Sequence, residues 1–183
     1  MLAGLRKRLH AARTFEATID TILDDTISLH GAEYGNVQLP IGDELVIVAQ
    51  RGLAAPFLSA FRRVNKDDGC ACGRALRLRR TVVVSDVEDD ADFAEFLKDA
   101  RAAGFRAVQS TPLFTSDGLL LGIVSTHFAN VHEPTPIELK TLQSYCVIAA
   151  EHAYRLLGNA ILDDKAKRMH TALYASILSE AQA

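Results

Sequence analysis

The chain has 183 residues, 49% of them hydrophobic and 23% charged, with a net charge of −3. That balance fits an ordinary globular domain with a substantial core, and it offers no basic stripe of the kind nucleic-acid binding needs. No apolar run approaches the roughly 20 residues of a membrane span. The basic start MLAGLRKRLHAARTFE lacks the continuous apolar stretch and cleavage site of a secretory signal. Three cysteines, with Cys70 and Cys72 only two apart, make no disulfide framework, so a cytoplasmic, reducing location is the expectation.

Residues 2–30 repeat apolar side chains at steps of three and four, from Leu2, Leu5 and Leu9 through Phe15 and Ile19 to Ile27. This predicts one long amphipathic helix ended by Gly31, with near-heptad spacing suited to pairing with another helix. Two strands follow, Tyr34–Leu39 and Glu44–Gln50, around a turn at Pro40-Ile41-Gly42-Asp43. Residues 55–63 suit a short helix, residues 65–69 a loop, and residues 73–79 a helical turn or two. Thr81-Val82-Val83-Val84 is the most β-prone run in the chain.

Beyond it, residues 86–92 are acidic, with Asp90 or Asp92 as a helix cap, and residues 93–103 form another short helix stopped by Gly104. The segment GFRAVQSTPLFTSDGLLLGIVSTHF reads as a hairpin from Arg106 to Phe128, turning at Ser116-Asp117-Gly118. Both of its strands carry polar residues where a plain core would be apolar, as the wall of a buried small-molecule pocket would. Thr135 then caps a long helix with Pro136 at its first position. Its stripe runs from Leu139 to Leu157, and a second amphipathic stretch continues past Gly158-Asn159 to about Leu178. Strands joined by hairpins and short helices favour an α+β domain with an antiparallel sheet.

The runs CACGRALRLRRTVVV (70–84), SDVEDDADF (85–93), AVQSTPLF (107–114) and GLLLGIVSTHF (118–128), in this order and spacing, resemble a GAF domain. The resemblance covers residues 15–157. It implies a central antiparallel sheet of five to six strands, with the long N- and C-terminal helices packed on one face and short helices and loops over a pocket on the other. It divides the chain into an N-terminal dimerisation helix (1–30), the sheet and pocket (31–134) and a C-terminal helix (135–183). It further implies a homodimer through the terminal helices, and signalling to a histidine kinase or other signalling protein. Residues 158–183 are too short for an output segment. Neither a nucleic-acid nor a membrane partner is expected.

Residues two apart on a strand share a face. Parity therefore pairs Asn36 with Gln38, Gln109 with Thr111, and Ser125 with His127, and GAF architecture makes these three strands neighbours. The six side chains are expected on one pocket face, bound to a ligand of unknown identity or satisfying one another and loop backbone. Phe93, Phe96 and Phe105 are lid or wall residues in that picture, and equally core.

His127 has no second histidine at metal-ligand spacing and reads as pocket-lining, so no metal site is expected. Haem stays open because some GAF domains bind it through a single histidine. The acidic run contains no calcium loop and reads as solvated. Covalent bilin attachment is not expected, since neither Cys70 nor Cys72 has an adjacent histidine.

Cys72-Gly73 also resembles a cysteine position of the free methionine sulfoxide reductases, a GAF-fold family. Such an enzyme needs a low-pKa thiolate and a resolving thiol, and this chain has no cysteine between Val84 and Leu113. Cys70 and Cys72 otherwise read as small residues near a tight turn. The expectation is thus a non-enzymatic, ligand-binding sensory module. The alternatives are a thiol-dependent reductase using Cys72 and a structural dimerisation module with a vestigial pocket.

Overall fold

In the computed structural model, which describes residues 2–180 with side chains through residue 159, the stripe expected on one N-terminal helix is carried by two. Helix α1 (Leu2–Ala11) ends where the Ala12 amide turns back to the Leu9 carbonyl, and α2 (Phe15–His30) starts afresh. Thr14 takes extended backbone and its hydroxyl accepts the Ala17 N–H at 3.2 Å, an N-cap that the apolar periodicity does not reveal. The expected single helix over 2–30 is corrected accordingly. The stripe survives the break because both halves bury it in the same core. Gly31, at φ +62°, closes α2 in the left-handed conformation.

Six strands follow: β1 (Tyr34–Ile41), β2 (Glu44–Arg51), β3 (Arg63–Asn65), β4 (Val82–Val84), β5 (Ala107–Phe114) and β6 (Leu120–Phe128). They form one antiparallel sheet in the order β3-β2-β1-β6-β5-β4. The short edge strand β3 is an addition to the expected elements; it has three residues, of which only Val64 is buried, so no alternation marks it. Between the strands lie α3 (Ala55–Ala60), α4 (Ala71–Leu78), a 3-10 helix (Ala91–Phe96) and α5 (Leu97–Ala103). Asp90 caps the 3-10 helix by accepting the Phe93 N–H, and Gly104 ends α5.

Helix α6 (Pro136–Glu180) opens with a reciprocal cap. Thr135 Oγ1 accepts the Glu138 N–H at 3.3 Å, while Glu138 accepts the Thr135 N–H at 2.7 Å. The helix runs on through Gly158-Asn159 without ending. Side chains of the apolar stretch expected up to Leu178 lie outside the described residues.

Two apolar cores occupy the two faces of the sheet. Val37, Leu113 and Val124 pack against Leu5, Leu9, Ile22 and Leu23 of α1 and α2 and against Leu142, Tyr145 and Ala149 of α6. On the opposite face Leu45, Val64, Val84 and Val108 pack against Phe57, Ala75 and Phe93 from the short helices. This is the α+β architecture expected, with α2 and α6 behind the sheet. Among the described residues no helix is long and apolar enough to cross a membrane.

Candidate binding cavity

The central strands set which side chains meet. Asn36 pairs with Ser125 across β1 and β6, and Ser110 pairs with Ser125 across β6 and β5. Paired residues share a face, so Asn36, Ser110 and Ser125 point together, joined by Gln38 and His127 two residues along their strands. All five line one cavity, with Val108 beside them. Phe57 of α3 and Phe61 just past its end, Cys70 and Cys72 at the start of α4, Phe93 and Phe105 close it from above. Phe96 packs behind, against Phe61 and Phe93.

Of the eight residues expected at the site, six therefore come together. Gln109 and Thr111 do not. They lie on the helix side, where the Gln109 amide reaches Thr111 Oγ1 at 3.4 Å and Gln109 is paired with Thr126. The cause is a bulge: β6 carries one extra residue, Leu121, between the pairs Phe114–Leu120 and Leu113–Gly122. One extra residue exchanges the faces of everything beyond it. Without it, Gln109 would oppose Ser125, as parity alone expects. Ser110 takes the place instead, and the run Gln109-Ser110-Thr111 is polar on both faces, so composition does not choose between them.

The cavity is polar below and aromatic above. Ser110 and Ser125 bond to each other at 2.8 Å. His127 sits between Phe105, with centroids 4.7 Å apart, and Phe57, at 5.3 Å, both edge to face. Burial pushes the imidazole down from 6.5 to about 3, so the ring is neutral at ordinary pH. Asn36 Oδ1, Gln38 Oε1 and His127 Nδ1 are buried with no hydrogen-bond partner in the chain. Each such group costs about 1–3 kcal/mol unless something bonds to it. The open volume is about 20 Å³, roughly the room for one water. A drug-sized molecule needs on the order of 300 Å³ or more, so it enters only if the phenylalanine wall moves.

The loop before α4 is held by close backbone approach. A Cβ on Gly73 would stand 2.6 Å from the carbonyls of both Asn65 and Asp68, so only glycine fits. This brings Cys70 and Cys72 to the cavity, where their sulfurs lie 3.5 Å apart. The hydrogen bond the two share pulls the Cys70 thiol below its ordinary value, and the same bond, with burial, pushes Cys72 up. Cys146 lies in the other core, where burial raises it to about 12.

The acidic segment is paired with arginines. Arg74 reaches both carboxylate oxygens of Asp90, at 2.9 and 2.8 Å, Arg106 Nε donates to Asp86 at 3.1 Å, and Arg101 meets Glu88 at 3.3 Å. Among the described residues no cluster of three or more histidine, cysteine or acidic side chains is set to hold a metal ion.

The GAF-domain family profile matches residues 12–151. The chain belongs to the GAF domain family. Solved GAF-like folds superpose well on it. A domain ascribed to a two-component sensor histidine kinase of Sinorhizobium meliloti matches with TM-score 0.68 at 17% identity, over 83% of this chain and 99% of that one. The GAF domain of an Acinetobacter phosphoenolpyruvate-protein phosphotransferase gives 0.70 at 8% identity, over 87% and 94%. The free methionine-R-sulfoxide reductase of Neisseria meningitidis, solved with its substrate, gives 0.67 at 19%, over 86% and 89%. At these identities the likeness is one of fold. A search of curated proteins finds no match.

Proposed function

We propose that this GAF domain is a sensory module that binds a small molecule in the cavity between the sheet and the phenylalanine wall. One observation carries the reading: Asn36 Oδ1, Gln38 Oε1 and His127 Nδ1, three buried polar atoms without partners, belong to side chains lining one aromatic-walled site. A ligand that satisfies them recovers what their burial costs. Because the wall must open to admit it, binding biases the positions of α3, α4 and the segment 86–105, which is a population shift. Gln109 and Thr111, on the reverse side of β5, would carry a change in strand position to α2 and α6 rather than touch the ligand.

The output is a helical homodimer acting on a signalling protein such as a histidine kinase, in the cytoplasm. Residues 1–30 would contribute less to that interface than a free helix would, because Leu5 and Leu9 are already covered by their own chain. The test is native mass spectrometry and an absorption spectrum of freshly purified protein. The expected result is a dimer with excess mass that denaturation releases, and loss of that mass in His127→Phe. A ligand-free parent, or a His127→Phe protein that keeps its bound molecule, would overturn the reading. A haem band in the spectrum would identify the ligand instead as iron porphyrin held by His127.

A second reading, a thiol-dependent reductase, draws support from Cys70 and Cys72 both lining the cavity. Turnover of free methionine sulfoxide with a dithiol reductant, abolished in Cys72→Ser, would establish it.

A further inference from the structure

Cys70 and Cys72 stand at the start of α4 with their sulfurs 3.5 Å apart, and both thiols line the cavity. Side chains two apart within a helix point to different sides. These meet because Cys70 precedes the helix, with extended backbone at φ −64° and ψ 159°, and turns its side chain over the first turn. A disulfide needs about 2.05 Å between sulfurs, so the two must approach by roughly 1.5 Å more. Cys146, the third cysteine, lies on the other side of the sheet and cannot take part.

We propose that Cys70 and Cys72 form a hydroperoxide-reactive dithiol that closes to an intramolecular disulfide inside the cavity. The roles divide by environment. Cys70 holds the N-cap position of α4, where a helix N-terminus favours a thiolate, and the hydrogen bond it shares with Cys72 lowers it while Cys72 is raised, so it attacks. Its sulfur bonds to one peroxide oxygen, the O–O bond breaks, and the departing oxygen leaves as hydroxide or alkoxide and takes a proton. Cys70 is then a sulfenic acid. The Cys72 sulfur attacks the Cys70 sulfur, the S–O bond breaks, and water leaves with the Cys72 proton. Two thiols and one hydroperoxide thus give one disulfide, one water and one alcohol, or a second water from hydrogen peroxide. The two electrons lost by sulfur are those gained by the peroxide.

Size selects the oxidant. The open volume of about 20 Å³ beside the thiols suits a molecule near the size of water, which favours hydrogen peroxide over bulkier hydroperoxides. The bond would constrain the first turn of α4, whose Gly73 already sits against two backbone carbonyls. Oxidation would therefore shift one wall of the cavity. The proposal stands apart from the small-molecule reading: the dithiol reacts whether or not a ligand is ever found.

The test uses reduced, desalted protein treated with one equivalent of hydrogen peroxide, quenched, denatured and alkylated. The expected product has lost the mass of two hydrogens and takes up one alkyl group, at Cys146. The tryptic peptide Asp67–Arg74 carries the whole mass loss, and the pair reacts roughly tenfold or more faster than Cys146. In Cys72→Ser the reaction stops at a sulfenic acid on Cys70, captured by dimedone. Three free thiols after treatment, a stable oxygen adduct on Cys72, or disulfide-linked dimers would each overturn the proposal. Oxidation of the pair by free methionine sulfoxide but not by peroxide would overturn it too, in favour of the reductase reading. The parent protein alone decides whether the disulfide forms, so that result stands even where a variant misfolds.

Discussion

Ser110 and Ser125 meet hydroxyl to hydroxyl at 2.8 Å across β5 and β6, both buried at the cavity floor. Each is the other's partner, so removing one strands its mate. Ser110→Ala should cost about 1–3 kcal/mol, whereas Ser110→Ala with Ser125→Ala should recover most of it. Denaturant unfolding of the two single variants and the double variant closes the cycle, and a coupling near zero would show that the hydroxyls do not depend on each other.

Gln38 presents the opposite case, a buried amide whose Oε1 has no partner in the chain. Gln38→Leu keeps nearly the same volume and removes the unpaired group. The free protein should gain about 1 kcal/mol in unfolding free energy while losing any molecule bound in the cavity. Gln109→Leu should be neutral or stabilising as well, but should leave binding intact, because Gln109 lies on the reverse face. Equal loss of binding in both variants would refute this division of the two faces.

That division also marks how far the sequence could be read. Hairpin, turn, cap and family pattern were legible from residues 104–136, because each rests on local chemistry: β-prone runs, a Ser-Asp-Gly turn, a Thr-Pro helix start. The face of Gln109 was not, because Leu121 as a bulge residue looks like any other leucine in LLLGIV. The break before Thr14 was hidden for a related reason, since apolar spacing continues across it while the chain turns back at Ala12 and the Thr14 hydroxyl caps a new helix. Cys70 and Cys72 were visible as a pair, but their place in the cavity depends on the contacts of Gly73 with Asn65 and Asp68, which no spacing encodes.

Tyr145 fastens three helices. Its hydroxyl donates to Asp25 at 2.8 Å, and Arg8 Nε donates to the other carboxylate oxygen at 2.7 Å, tying α6, α2 and α1 together. Burial first, and then the Asp25 carboxylate beside it, raises the Tyr145 phenol well above its ordinary value. Tyr145→Phe removes a hydrogen bond to a charged group and should cost about 1.5–3 kcal/mol. Arg8→Ala should cost less, since Arg8 is more than half exposed and its attraction is screened. The reverse order in chemical denaturation would count against a buried Tyr145–Asp25 bond as the main tie.

Two histidines predict an acid sensitivity. Burial lowers His127 from 6.5 to about 3, and burial followed by the neighbouring His132 lowers His30 from 6.5 to about 4. The unfolded chain binds these protons near pH 6.5 and the folded chain does not, so folding is opposed as acid is added. Stability is full above pH 6.5, falls as pH drops toward about 4 for His30 and about 3 for His127, and levels below. The slope reaches about 1.4 kcal/mol per pH unit for each histidine. Unfolding free energies measured from pH 7 to 4 should show a shallower slope in His127→Phe, and an unchanged slope would mean that this imidazole is protonated in the folded protein.

Among the described residues, helix α6 leaves some apolar side chains uncovered. Leu142, Tyr145, Ala149 and Ala153 face the sheet, while Val147 and Tyr154 remain 40% and 47% exposed. Seven residues apart, they fall on nearly the same side of the helix, the repeat that pairs helices. The inner stripes of α1 and α2 are already buried within the chain, whereas a second copy docking on the outer line of α6 would still bury apolar area. Val147→Glu with Tyr154→Glu should convert a dimer to a folded monomer in light scattering after size exclusion, with an unfolding transition kept. The wild-type protein running as a monomer at the same concentration would leave the line without a partner of its own kind, and a double variant still dimeric would move the interface elsewhere.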